Sequence, residues 1–98
     1  MSRTVVVMAA ALAAAFVAHA QDNGRNLAAS CAICHGTDGK AVTQDVVALA
    51  GLPREHIATQ MRAFRDGTRP ATVMHQIAKG YNDAQIDAMA AWFAGQKR

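Results

Sequence analysis

The sequence predicts an all-α domain of about four short helices, and three observations carry that reading. Apolar residues recur at helical spacing in two long runs: Ile57, Met61 and Phe64, then Ile86, Met89, Ala90 and Phe93. Residues that open or close helices stand at the ends of the runs: Pro53, Gly67, Gly80 and Asn82. No buried β-branched strand is visible beyond the short pair Val46-Val47.

Each element has its own signal. A first helix capped by Asp22 or Asn23 is expected through 25–29, with Gly24, Leu27 and Ala28 inward. Thr37-Asp38-Gly39-Lys40 reads as a turn. A second helix begins with Pro53 at its first position, continues through Arg54-Glu55 and ends at Gly67. A short third helix is expected from about Thr72 to Lys79, stopped by Gly80. The last opens on Asn82-x-x-Gln85, a capping-box variant.

The beginning of the chain reads differently. Ser2-Arg3 is a short positive stretch, Val5 to Ala18 is unbroken and apolar, and Ala18-His19-Ala20 is an A-x-A cleavage site. The apolar run is shorter than the ~20 residues a membrane span prefers. Residues 1–20 are therefore expected to be a removed signal peptide, rather than an uncleaved anchor, and 21–98 a single domain exported to the periplasm. No stable membrane insertion is expected after cleavage. A formal net charge of +3 with no concentrated basic stripe does not point to nucleic acid.

Cys31-Ala-Ile-Cys34-His35 carries the chemistry. C-x-x-C-H is the spacing for covalent attachment of c-type haem. Two thiols two residues apart can each add to a vinyl group on one porphyrin edge, and the next residue's imidazole can bind iron. The chain has only these two cysteines. A zinc ribbon would need a second ligand pair, a thioredoxin-like pair expects a βαβ context, and a plain disulfide has no use for His35. One haem c is the expected cofactor. Packed inside so small a domain, it would give every helix an apolar surface to meet. Gly36 suits the turn beneath the ring.

His35 fills one axial position, leaving Met61, Met74, Met89, His56, His75 or nothing for the other. Met61 and Met89 read as core filler on their helices. His56 lies in a charged first turn beside Glu55 and needs no special role. Met74 lies outside the long amphipathic helices, far enough from His35 for the chain to round the haem edge and return on the other face. It is the preferred distal ligand, with His75 as its competitor, and His/Met ligation raises the reduction potential.

The order of elements resembles class I cytochrome c over nearly all of 21–98. Leu49-Ala50-Gly51, Arg65-Asp66-Gly67-Thr68-Arg69 and Met74-x-x-Ile77-Ala78-Lys79-Gly80 resemble short bacterial single-haem members. The stretch from Arg69 through Tyr81 looks like the cytochrome subunit of flavocytochrome c sulfide dehydrogenase. The resemblance implies a cytochrome c-like fold around one covalently bound haem. It also implies that Gly24 crosses Trp92 or Phe93, that Leu27 packs on the haem, and that Met74 is the ligand methionine. Val47 stands where relatives carry a proline whose carbonyl accepts a hydrogen bond from the ligand histidine. A carbonyl needs no proline, but the loop loses that ring's rigidity.

A haem closed on both faces by protein groups is left with one-electron exchange. The expected function is a periplasmic electron carrier, or the electron-accepting subunit of a larger oxidoreductase, and not itself an enzyme. Redox proteins are the expected partners, among them the flavoprotein of a sulfide dehydrogenase that the resemblance implies. Lys40, Arg62, Arg65, Arg69 and Lys79 are candidates for a charged docking rim. The alternative is a peroxidase-type haem enzyme or a gas-binding sensor with an open sixth site.

Overall fold

The computed structural model describes residues 23–98. Asp22 and the expected signal peptide lie outside the described residues. Among the described residues there is no β-strand, and the architecture is all-α. Helix α1 covers 23–28 and runs through a 3-10 turn, Ala29–Cys31, into α2, Ala32–His35. After a long loop come α3 (Arg54–Asp66), α4 (Met74–Ala78) and α5 (Asp83–Ala94).

Helix α5 organises the core. Its expected inward face, Ile86, Met89, Ala90 and Phe93, is buried, with Ile86 and Ala90 fully so. Ile57 and Ala58 of α3 and Ala28 of α1 complete the cluster, flanked by Leu27, Leu49, Leu52 and Trp92. Burying a side chain the size of Ile86 contributes about 1.5–3 kcal/mol. The capping box is complete: the Gln85 N–H donates to Asn82 Oδ1 at 2.8 Å, and the Asn82 N–H to Gln85 Oε1 at 2.9 Å.

Gly24 explains how α1 reaches α5. A Cβ at this position would lie 2.5 Å from the Ala88 carbonyl oxygen and 3.2 Å from Trp92 Cβ. Only a missing side chain permits that approach, and Trp92 rather than Phe93 is the aromatic it meets. Phe93 is instead buried in the core and edge-on to Trp92, with ring centroids 5.1 Å apart.

Three expected boundaries move. Asn23, a candidate cap, already lies within α1. Pro53 is the cap of α3 rather than its first helical residue, its extended ψ of 135° placing it just outside while its carbonyl accepts from Ile57 at 3.2 Å. Helix α4 starts at Met74 instead of Thr72, because Thr72 and Val73 form a bend and Val73 has φ −128°.

The outer seam between α3 and α5 is ionic. Arg62 reaches Asp87 at 2.7 Å and Asp83 at 3.2 Å, and Arg65 reaches Asp83 at 2.8 Å. Arg65, and next Arg62, hold the Asp83 carboxyl below the usual carboxylate range by donating hydrogen bonds to it. Both arginines, expected at a docking rim, are thus paired with α5.

Candidate functional site

The chain around the cysteine motif is bent by backbone geometry. Helix α2 ends at Gly36, whose φ of +85° belongs to the region that favours glycine. A Cβ there would fall 2.0 Å from the Lys40 carbonyl oxygen, so no other residue fits. The following turn is tied to the next loop: the Gly39 carbonyl accepts from Leu49 at 2.8 Å and Ala50 at 3.1 Å, and the Gly51 N–H donates to Phe93 at 2.9 Å. These bonds fix Leu49-Ala50-Gly51 between the motif and α5.

Just before that segment, the Val47 carbonyl turns inward and accepts a hydrogen bond from His35 Nδ1 at 2.7 Å. A carbonyl cannot donate, so Nδ1 carries the proton, and in the neutral ring Nε2 keeps its lone pair. The imidazole is buried, at 8% exposure. A buried imidazole oriented by a backbone carbonyl and presenting a bare nitrogen is the arrangement a metal-binding histidine needs. The bond forms with valine, not proline, at position 47.

Cys31, Cys34, His35 and Met74 all line one cavity of about 520 Å³. The core side supplies Leu49, Leu52, Met89 and Phe93; α3 supplies His56, Ile57, Gln60, Met61 and Phe64; α4 supplies Met74 and Ile77. Cys31 is half-buried and Cys34 exposed, so the motif forms the rim nearest solvent. Burial pushes the Cys31 thiol up, against a smaller opposing effect of its Ser30 hydrogen bond. A cavity of this volume lies within the range of small-molecule and cofactor sites. Its largely apolar wall, two thiols at one rim and oriented imidazole fit a flat tetrapyrrole attached along one edge.

The other sixth-ligand candidates separate. His75 does not line the cavity, and its Nδ1 is shielded from solvent with no hydrogen-bond partner. Met61 and Met89 pack on the core as expected, yet both also reach the cavity wall. His56 is exposed but lines the cavity, as do Gln60 and Arg69, none of them expected at the site. The signal for the α3 residues was present: His56, Gln60 and Phe64 repeat every fourth residue beside the Ile57–Met61 stripe.

Comparison with known proteins decides the family. The model of the family described as Cytochrome c matches residues 21–97. The chain belongs to the cytochrome c family. This cytochrome is 38% identical over 73 residues to the cytochrome subunit of sulfide dehydrogenase of Chlorobaculum tepidum, covering 74% of this chain and 66% of that one. It is 41% identical over 71 residues to the thiosulfate dehydrogenase electron acceptor of Thiomonas intermedia, covering 71% of this chain but only 33% of the relative. With cytochrome c-553 of Nitratidesulfovibrio vulgaris it shares 32% identity, over 96% of this chain and 98% of the relative. The chain thus spans less than two thirds of the length of the two sulfur-oxidation relatives. This cytochrome carries a single haem c, attached covalently through its Cys-x-x-Cys-His motif. It is an electron-transfer protein, not a catalytic enzyme. No helix among the described residues is long and apolar enough to cross a membrane.

Proposed function

We propose that this cytochrome is a periplasmic one-electron carrier with Cys31 and Cys34 as its thioether residues and His35 and Met74 as its two iron ligands. The observation that carries the reading is the convergence of these four side chains on one cavity, with His35 Nδ1 committed to Val47. When bound, haem c supplies an Fe(III)/Fe(II) couple of the kind that His/Met ligation shifts to higher potential. The residues of the chain do the rest. The Val47 carbonyl holds the imidazole in one tautomer and one orientation, raising its basicity as a ligand. Leu49, Leu52, Phe64 and Phe93 exclude water from the wall, which limits solvent reorganisation when charge changes. Residues 1–20 act as the export signal that delivers the chain to the compartment where haem is attached.

Electrons enter and leave at the motif rim. Cys34 is exposed and Ile33 between the cysteines is 89% exposed, so a partner can approach that edge closely. The relatives named for sulfide and thiosulfate dehydrogenases support a partner that oxidises a reduced sulfur compound. The motif resemblance to flavocytochrome c makes a flavoprotein sulfide dehydrogenase subunit the partner to seek, by affinity purification from the native periplasm.

Carbon monoxide added to the reduced protein tests the closed site. An unchanged visible spectrum is expected, because Met74 occupies the sixth position. Immediate carbon monoxide binding would replace the carrier by an open-site haem protein of peroxidase or sensor type.

A further inference from the structure

Ser30, just before the attachment motif, and Tyr81, just after Gly80, stand 51 positions apart and meet through their hydroxyls at 3.3 Å. Among the described residues this is the one hydrogen bond that joins 23–35 to 68–82. Its direction follows from the surroundings. Ser30 Oγ also lies 3.5 Å from the Leu27 carbonyl oxygen, which can only accept. A serine has one proton, so Ser30 donates to Leu27 and Tyr81 donates to Ser30. The Tyr81 ring packs on the core cluster, while Ser30 lines the cavity beside Cys31.

Tyr81 is tied to Met74 by a continuous run of turns. The Gln76 and Ile77 N–H groups donate to the Val73 carbonyl at 3.0 Å and 3.2 Å, Gly80 to Ile77 at 3.1 Å, and Tyr81 to Ala78 at 3.2 Å. The segment is thus one short body with little of its own to hold it. Its start has no side-chain cap, and Ala78 is the one buried residue of the helix. Val73 and Ile77 face solvent, and His75 Nδ1 makes no hydrogen bond. A helix of five residues depends on outside contacts. Packing on α3 supplies one of them. The Tyr81 hydroxyl supplies another, toward the attachment motif.

We infer that the Tyr81–Ser30 hydrogen bond is a latch that holds α4, and with it Met74, at the cavity. The inference rests on the Met74 reading above and adds a positioning residue to it. Tyr81 does not line the cavity and acts through α4. Its bond ties the segment carrying Cys31, Cys34 and His35 to the segment carrying Met74, so the two sides of the site keep one spacing when the charge between them changes.

The test titrates imidazole into the oxidised holoprotein and follows loss of the sulfur-to-iron band, while denaturant melts by circular dichroism report the fold as a whole. The unmodified protein first checks the Met74 reading. No such band, or a band that persists in Met74→Ala, overturns that reading and this inference with it. Imidazole enters when Met74 has moved away, so its apparent affinity scales with the open fraction. Tyr81→Phe keeps the ring and removes one hydrogen bond, and should lower the imidazole midpoint by roughly 2- to 10-fold. Ser30→Ala should do the same, and carries the test if Tyr81→Phe fails to accumulate. The double variant should fall no further than either single one. Midpoints in both single variants equal to the unmodified protein's overturn the latch with the Met74 reading intact. If the melts weaken while the midpoints stay, the hydroxyl serves the fold at large. Effects that add in the double variant overturn the latch as well, since the two hydroxyls then act separately.

Discussion

Helices α5 and α4 are neighbours in sequence and opposites in construction. Helix α5 has twelve residues, a reciprocal capping box and four buried side chains. Helix α4 has five residues, no side-chain cap, and buries only Ala78. Five residues are too few for a helix to be stable by its own hydrogen bonds. The contrast separates scaffold from site. Helix α5 holds the fold together, while α4 is held against α3 and the cavity wall and carries Met74 at its start. Substitutions in α5 that do not reach the cavity, such as at Ile86, should therefore change stability with little effect on the iron's spectrum. Removal of the α4 methionine should do the reverse.

The largest expected effect comes from Ile86, the fully buried residue of the first turn of α5. Ile86→Ala leaves a void where exposure is 0% and should cost about 2–5 kcal/mol in denaturant melts of the holoprotein. The absorption of the folded fraction should be unchanged. A spectral change in Ile86→Ala as large as in Met74→Ala would erase the division between the two helices.

A smaller effect is expected at the entrance to α5. Asn82→Ala removes the acceptor of the Gln85 N–H and should cost about 1 kcal/mol. A cost near zero would mean that packing alone, without the capping box, holds the helix start.

The smallest effect lies on the α3–α5 seam. The Asp83 carboxyl is held below its ordinary range in the folded state, first by Arg65 and then by Arg62. Its contribution is present above the ordinary carboxylate range and is lost as pH falls through the lowered folded-state value. The gap in stability between the unmodified protein and Asp83→Asn should therefore be small at neutral pH and close on acidification. A gap that widens in acid would contradict the pairing.

The same contrast explains what could be read from one dimension. Helix α5 was legible down to its cap, because Asn82, Gln85 and the Ile86–Phe93 stripe are local signals at helical spacing. The attachment motif was legible because its chemistry needs five consecutive residues. The inward turn of the Val47 carbonyl was implied only by family resemblance, since the 40–48 loop has no periodicity to read. The acids that claim Arg62 and Arg65 lie on another helix, and no spacing along the chain connects them. Arg69 was visible as a charge, but its stack on Phe64 and its bond to Gln60 depend on how the chain leaves α3. The reach of Met61 and Met89 to the cavity was hidden for a related reason, as one apolar stripe serves both the core and the wall.

Three methionines on one cavity make the decisive measurement a comparison among them. The sulfur-to-iron charge-transfer band of the oxidised protein should persist in Met61→Ala and Met89→Ala and vanish in Met74→Ala, with carbon monoxide then binding the reduced Met74 variant. A band that survives Met74→Ala and disappears with either of the others would contradict the assignment of Met74 and move the sixth ligand onto α3 or α5.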